Sequence, residues 1–161
     1  MGYPMAGHLV KAGHDVAAYN RTKAVAERFV EEHPGARLAQ SPRDASTGAE
    51  VTILIVGNDD SVRSVAFGDD GAFAGLDDGS LLIDHTTASA TVAHELAEAG
   101  AARNINVLDA PVSGGEAGAQ NGVLTIMCGG PQEAFDTAEP VISAYSKTRT
   151  CLLYTSDAAD E

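Results

Sequence analysis

Tryptophan is absent, aromatic residues make up 5% of the chain, and only two cysteines occur in 161 residues. Cys128 and Cys151 form no CxxC pair, which excludes a disulfide-dense secreted scaffold. Cys128 closes the strand-like run VLTIMC and reads as a buried inert thiol, with a reactive thiol as the alternative. Basic residues are also scarce, ten Lys and Arg against 23 Asp and Glu, for a formal charge of −13. With no basic cluster to track a phosphate backbone, nucleic acid is not an expected partner. No apolar run approaches the ~20 residues that span a bilayer, and the amino terminus lacks the basic-then-apolar layout of a signal peptide. No membrane association and a cytoplasmic location are therefore expected. His8, His14, His33, His85 and His94 offer no metal-ligand spacing beside a carboxylate or thiol, so no metal site is expected.

What is present is a 44% hydrophobic chain of single-domain size, long enough to bury a core. Met5, Ala6, Leu9 and Val10 have helical spacing, and Gly13 follows as a stop. HDVAAYN then reads as a strand, Lys23 to Glu32 as a helix, ARLA as a short strand, and Ser41-Pro42 as the start of a helical turn. VTILIVG is unbroken and apolar, as a strand covered on both faces should be. Helix DDSVRSVAF, a Gly/Asp-rich loop, strand SLLIDHTT, an alanine-rich helix from Ala90 to Ala102 and strand INVLDAPVSGG follow. After the loop EAGAQNG come strand VLTIMCGG and a last helix from Pro131. Strands alternating with helices over short links predict an α/β fold with a doubly wound, mostly parallel sheet.

In such sheets ligands bind beyond the carboxyl ends of the strands. At Asn20-Arg21-Thr22 an amide, a guanidinium and a hydroxyl stand where an acidic residue often meets a ribose 2′-hydroxyl. The set suits a 2′-phosphate, which Arg can hold by paired charge-assisted bonds; alternatively Thr22 caps a helix and Arg21 is solvated. Asp84-His85-Thr86-Thr87 places two hydroxyls at the mouth of a buried strand, although Asp and Thr also serve as caps and His85 reads more simply as an exposed loop histidine. In DAPVSGG, Asp109 to Gly115, Ser113 and two glycines leave backbone N–H groups for an anion such as a carboxylate, unless the glycines serve only a turn.

Together these residues resemble the 3-hydroxyisobutyrate dehydrogenase family, the β-hydroxyacid dehydrogenases, from Met1 to about Ser146. Met1-Gly2 look like the last two positions of the family's GxGxMG loop. MAxxLxKxGHxVxxxNRT is matched by Met5-Ala6, Leu9, Lys11, Gly13-His14, Val16 and Asn20-Arg21-Thr22. DxSTxxP is met by Asp84-His85-Thr86-Thr87 with Ala90 in place of proline, and DAPVSGGEAGAQNGVLTIMCGG covers Asp109 to Gly130.

The resemblance implies a Rossmann-type sheet lacking its first central strand, which belongs between HDVAAYN and VTILIVG, and a chain truncated at both ends. It implies that Ser113, Gly114 and Gly115 receive the substrate carboxylate. Gly2, Asn20, Arg21, Thr22, Val56, Gly57, Asn58 and Thr87 would bind the cofactor, NADP in preference to NAD. The family's proton-donating lysine follows a GxGxxx string, and neither Lys11, Lys23 nor Lys147 does; no catalytic residue is assigned and the chain alone is expected to be inactive. The tail CLLYTSDAADE drops the family pattern and resembles translated adapter read-through, so residues 1–150 are expected to form the dinucleotide-binding domain and 151–161 a non-native tail. The parent is expected to be a homo-oligomeric oxidoreductase interconverting a short β-hydroxyacid and its semialdehyde or keto acid. A glyoxylate, tartronate semialdehyde or imine reductase is the near alternative, and a non-catalytic dinucleotide-binding or interaction module the distant one.

Overall fold

Leu81, Leu82, Ile83 and Asp84 are all buried, which a strand achieves only when both faces of its sheet are covered. In the computed structural model, which describes residues 1–153, this strand, β4 (Leu81–Asp84), pairs in parallel with β3 (Val51–Leu54) on one side and β5 (Asn106–Asp109) on the other. Beyond a bend at Ala110-Pro111 the chain continues as β6 (Val112–Ser113). Both β5 and β6 run antiparallel to β7 (Leu124–Gly130), with Asp109 opposite Gly129 and Val112 opposite Ile126. β8 (Ser146–Leu153) lies parallel to β7.

Alternate side chains of β4 feed two cores. Leu81 and Ile83 pack with Met5 and Leu9 of α1 (Gly2–Lys11) and with Phe135, Ala138 and Ile142 of α8 (Gln132–Ile142). Leu82 packs on the other face with Val62 of α4 (Asp59–Ala66), Phe73 of α5 (Ala72–Gly75), and Val92 and Leu96 of α6 (Ala90–Ala101). This is the doubly wound, Rossmann-type α/β arrangement expected from the alternating pattern.

β1 (Ala17–Ala18) and β2 (Arg37–Leu38), linked by α2 (Lys23–Glu32), form a separate two-stranded parallel sheet. β1 does not pair with β3. The two strands flank a groove instead, with a cavity of about 410 Å³ at their carboxyl ends, lined by Ala18, Tyr19, Asn20, Leu54 and Ile55. A second cavity of about 680 Å³ lies at their amino ends, beside Val16, Ala17, Glu50 and Val51. The interruption expected between HDVAAYN and VTILIVG is thus present, and with a ladder on only one side β1 shrinks to two residues.

Side chains and a helix tie the small sheet to the large one. Arg37 donates to the Asp44 carboxylate and to its carbonyl, both at 2.9 Å. Asp44 lies in α3 (Pro42–Ser46), whose N-cap Ser41 accepts the Asp44 N–H. Ser46 in turn donates to the Ala72 carbonyl at 2.7 Å, and a Cβ on Gly75 would collide with the Arg43 carbonyl, so α3 and α5 meet backbone to backbone.

Two stretches read as loops hold helices: α5 lies in the Gly/Asp-rich segment, and α7 (Gly115–Asn121) replaces the expected loop EAGAQNG. Glycine lowers helix propensity, and Gly118 lets α7 sit close on Leu124, whose Cδ2 a Cβ there would approach to 3.1 Å. The last helix gives way to a 3-10 turn at Ser143–Tyr145 and then to β8, which the sequence reading did not anticipate. Of the expected tail, Cys151, Leu152 and Leu153 end β8 opposite Cys128, Gly129 and Gly130, and 154–161 lie outside the described residues.

Thr52 of β3 is 9% exposed and borders the smaller cavity. Its hydroxyl has no hydrogen-bond partner among the described residues, and a buried unpaired hydroxyl is destabilising. Thr52→Val keeps the shape and removes the polar atom. It should raise stability by about 1 kcal/mol, read as an increase of about 2–4 °C in melting temperature.

Candidate functional site

The parallel strands bring their carboxyl ends to one edge. β1 and β3 share the cavity that Met1 and Gly2 of the α1 amino terminus also line, together with Asn20 and Val56. Gly2 is needed there, because a Cβ would stand 2.8 Å from Ile55 Cγ2. The first turn of α1 has no side-chain cap and no acidic residue, which leaves its leading N–H groups available to an anion. The Met1 nitrogen lies 3.3 Å from Glu116, so the start of α1 adjoins the start of α7 and the Ser113–Gly115 segment before it.

At the end of β1, Asn20 Oδ1 accepts the Thr22 N–H at 2.8 Å, an Asx turn that sets Thr22 as the N-cap of α2; the Thr22 side chain makes no capping bond. Arg21 is exposed. At the end of β3, Asn58 caps α4 through the Ser61 N–H at 2.8 Å, and Gly57 is exposed. Val56 N–H donates to Thr86 Oγ1 at 3.1 Å, which joins this loop to the end of β4. A second join runs from Ser89, the N-cap of α6, to the Asp59 carboxylate, through its N–H at 2.8 Å and its hydroxyl. Both bonds draw the Asp59 carboxyl below its ordinary range.

Thr87 is exposed on the rim. Beneath it the expected loop histidine is a core residue: His85 is 1% exposed, with Nδ1 2.6 Å from the Ala110 carbonyl and Nε2 2.7 Å from the Tyr145 hydroxyl. The neighbouring Asp84 turns inward as well, accepting the Thr86 N–H at 3.0 Å. Burial raises its pKa. Asp109 stands opposite it on β5, and burial, with the charge of Asp84, pushes the Asp109 carboxyl up to about 6. Past the bend, Ser113, Gly114 and Gly115 are exposed, with φ of +131° and +64° at the two glycines, conformations that L side chains resist. Cys128 is fully buried and its thiol is raised to about 11, consistent with an inert thiol.

The structure therefore gathers Gly2, Asn20 and Val56 about one cavity, places Thr87 above the stitched ends of β3 and β4, and sets Ser113–Gly115 on the neighbouring strand end. Arg21, Thr22, Gly57 and Asn58 do not line that cavity; they lie on the loops around it. Sequence reading picked out His85 and Thr86 without their joining role, and missed Asp59, Ser89 and Tyr145; the bonds of all five span 25 to 60 residues of sequence. Among the described residues, no cluster of three or more His, Cys, Asp or Glu could hold a metal, and no helix is long and apolar enough to cross a membrane.

Residues 1–155 match the family model of the NAD-binding domain of 6-phosphogluconate dehydrogenase. An uncharacterized oxidoreductase of Shewanella frigidimarina is 56% identical over 147 residues, covering 91% of this chain and 50% of that protein. The 3-hydroxyisobutyrate dehydrogenase of Pseudomonas aeruginosa is 42% identical over 142 residues, covering 88% of this chain and 47% of that protein. The solved structure of Mycobacterium tuberculosis 3-hydroxyisobutyrate dehydrogenase with L-serine superposes with a TM-score of 0.88 at 30% identity, covering 99% of this chain and 54% of that one. The chain spans about half the length of the relatives it matches.

The strand-end groups make stability depend on pH in two opposed ways. His85 stays neutral in the fold down to about pH 4 against an ordinary value of 6.5. Between those values the unfolded chain takes up a proton that the folded chain does not, so stability falls with acidification at about 1.4 kcal/mol per pH unit. Asp109 does the reverse: its folded carboxyl takes a proton near 6 rather than 3.8, which favours the fold as pH falls through that range. Asp109→Asn removes the compensating gain. Urea unfolding at pH 6.5, 5.5 and 4.5 should show a steeper acid loss for the variant than for the wild type.

Proposed function

The chain belongs to the NAD-binding domain family of 6-phosphogluconate dehydrogenase, and on that premise we propose that the whole protein is an NADP-dependent oxidoreductase of short β-hydroxyacids. The observation that carries this reading is the convergence of the uncapped α1 amino terminus, with Gly2 against Ile55, on the strand ends that hold Asn20 and Val56. An extended anionic dinucleotide suits this edge: the site is concave at Gly2, offers the uncapped N–H groups of Gly2 and Tyr3, and has the exposed cation Arg21 on the loop after β1.

In this reading the α1 amino terminus and Gly2 hold the pyrophosphate, and Arg21 holds the 2′-phosphate by paired charge-assisted bonds. Asn20, used in its Asx turn, fixes the loop that carries Arg21. Thr22, Val56, Gly57 and Asn58 border the adenosine side, and Thr87 meets the nicotinamide ribose. The cofactor, when bound, supplies or accepts the hydride. Ser113, Gly114 and Gly115 receive the substrate carboxylate on backbone N–H groups, which orients the carbinol carbon toward the nicotinamide position. L-serine, the ligand named with the mycobacterial structure, is itself a β-hydroxyacid, in keeping with that substrate class.

Titrating NADPH and NADH into the chain and its Arg21→Ala variant tests the cofactor assignment. Loss of a charged hydrogen-bond pair costs about 1.5–3 kcal/mol, so NADPH affinity should drop roughly 10- to 150-fold while NADH affinity is unchanged. An equal loss for both would overturn the role of Arg21.

No group in the site is assigned the alcohol proton. Lys11 ends α1 away from Gly2, Lys23 pairs with Glu27 at 3.9 Å, and Lys147 lies on β8. The chain alone should leave NADPH oxidation by short semialdehyde acids at background, since general acid–base assistance is typically worth about 10²–10⁴ in rate. Turnover above background would place a proton donor among these residues.

A further inference from the structure

Ala110 is where β5 leaves β4 and crosses toward β7. Its N–H still donates to the Asp84 carbonyl at 2.8 Å, the Pro111 carbonyl already accepts from Met127, and Val112 is opposite Ile126. At this bend the Ala110 carbonyl is taken by His85 Nδ1 at 2.6 Å. A carbonyl only accepts, so Nδ1 carries the ring proton and Nε2 is left to accept from the Tyr145 hydroxyl at 2.7 Å. The ring is 1% exposed and Tyr145 fully buried. Both ring nitrogens are thereby committed, and one tautomer is locked.

An apolar side chain of the same size would fill this volume without the need to satisfy two buried nitrogens. What the imidazole adds is a link of fixed length from the end of β4 to the bend, braced from behind by the 3-10 turn at Ser143–Tyr145. On one side of that link the chain leads within two residues to Thr87. On the other it leads from Ala110 into Ser113–Gly115.

We propose that His85 is a positioning residue for the reaction: through the Ala110 carbonyl it fixes the Ser113–Gly115 segment relative to Thr87, and so sets the separation between the hydroxyacid carboxylate and the nicotinamide ribose. This rests on the reading of Ser113–Gly115 and Thr87 given above. His85 and Tyr145 touch neither ligand; they act through the backbone.

Three variants separate the link from the bulk of the ring. Asn at this position sets its amide nitrogen near the place of Nδ1 and keeps the bond to Ala110. Gln reaches toward the place of Nε2 and loses that bond, while Tyr145→Phe removes only the bracing hydroxyl. Residue-resolved amide hydrogen exchange on the full chain, without ligand, reads the result. The amides that hold the bend, Ala110 on the Asp84 carbonyl and Met127 on the Pro111 carbonyl, report on the link. In His85→Gln they should exchange about tenfold faster than in the wild type relative to those of Leu82 and Leu108. His85→Asn should restore them to within about twofold, and Tyr145→Phe should fall between. Uniform acceleration at Leu82, Leu108, Ala110 and Met127 would make the ring a core prop only. Asn behaving like Gln would show that the Nδ1–H bond is not the link. If His85→Gln fails to fold, unchanged exchange at Ala110 and Met127 in Tyr145→Phe overturns the proposal. The NADPH titration on Arg21→Ala fails or succeeds independently, so loss of the cofactor reading and loss of this link are told apart.

Discussion

The parallel pairing of β4 with β3 and β5, under helices on both faces, is the constraint on which the remaining structure depends. A strand buried on both faces cannot spare a position for a polar side chain, and Leu81, Leu82 and Ile83 obey. Polarity is displaced to the first residues beyond the apolar run, Asp84, His85 and Thr86. These remain buried and must find partners within the protein. The same rule that makes the sheet apolar therefore concentrates hydrogen-bonding groups at its carboxyl edge, and the ends of β3, β4 and β5 are joined there by side chains: Thr86 to Val56, His85 to Ala110, Asp59 to Ser89.

That concentration has an electrostatic cost, which the site distributes over several groups. Asp84 and Asp109 face each other in register, and both carboxyls are raised by burial. His85 is driven the opposite way, toward the neutral ring. Desolvation thus favours the uncharged forms of all three groups, and the cost of burying them appears as the opposed pH dependences of Asp109 and His85.

Elements set by local chemistry were legible in the sequence. α2 runs from Lys23 to Glu32 as read, Gly13 at φ +95° ends the first helical unit, and Ser41 caps α3. Elements set by distant contacts were not. α7 forms despite its glycines, with Gly118 seated closely on Leu124, and β8 pairs along the full length of β7. His85 was misread for the same reason: nothing local reports that Ala110 and Tyr145 converge on it. The family pattern located the strand-end residues, whereas the bonds between those ends appear only once the sheet is assembled.

The divided sheet places an unusual demand on α3. A strand that shares ladder bonds with its neighbour has its register fixed by the backbone, but β1 and β3 share none. The position of Asn20–Thr22 relative to Val56 is set instead along a side-chain and helix route: Arg37 to Asp44, Ser41 capping the same helix, and Ser46 with Gly75 seating α3 on α5. Much of that route is made of exposed charged contacts, which are weak singly, while its buried step at Ser46 and Gly75 is a close backbone approach that tolerates no added atom. α1 holds α2 as well, with Tyr3 edge-on to Phe29 at 5.3 Å and its hydroxyl donating to Glu32, so the placement of Asn20–Thr22 rests on helix packing at Gly75 and at Tyr3 rather than on pairing between β1 and β3.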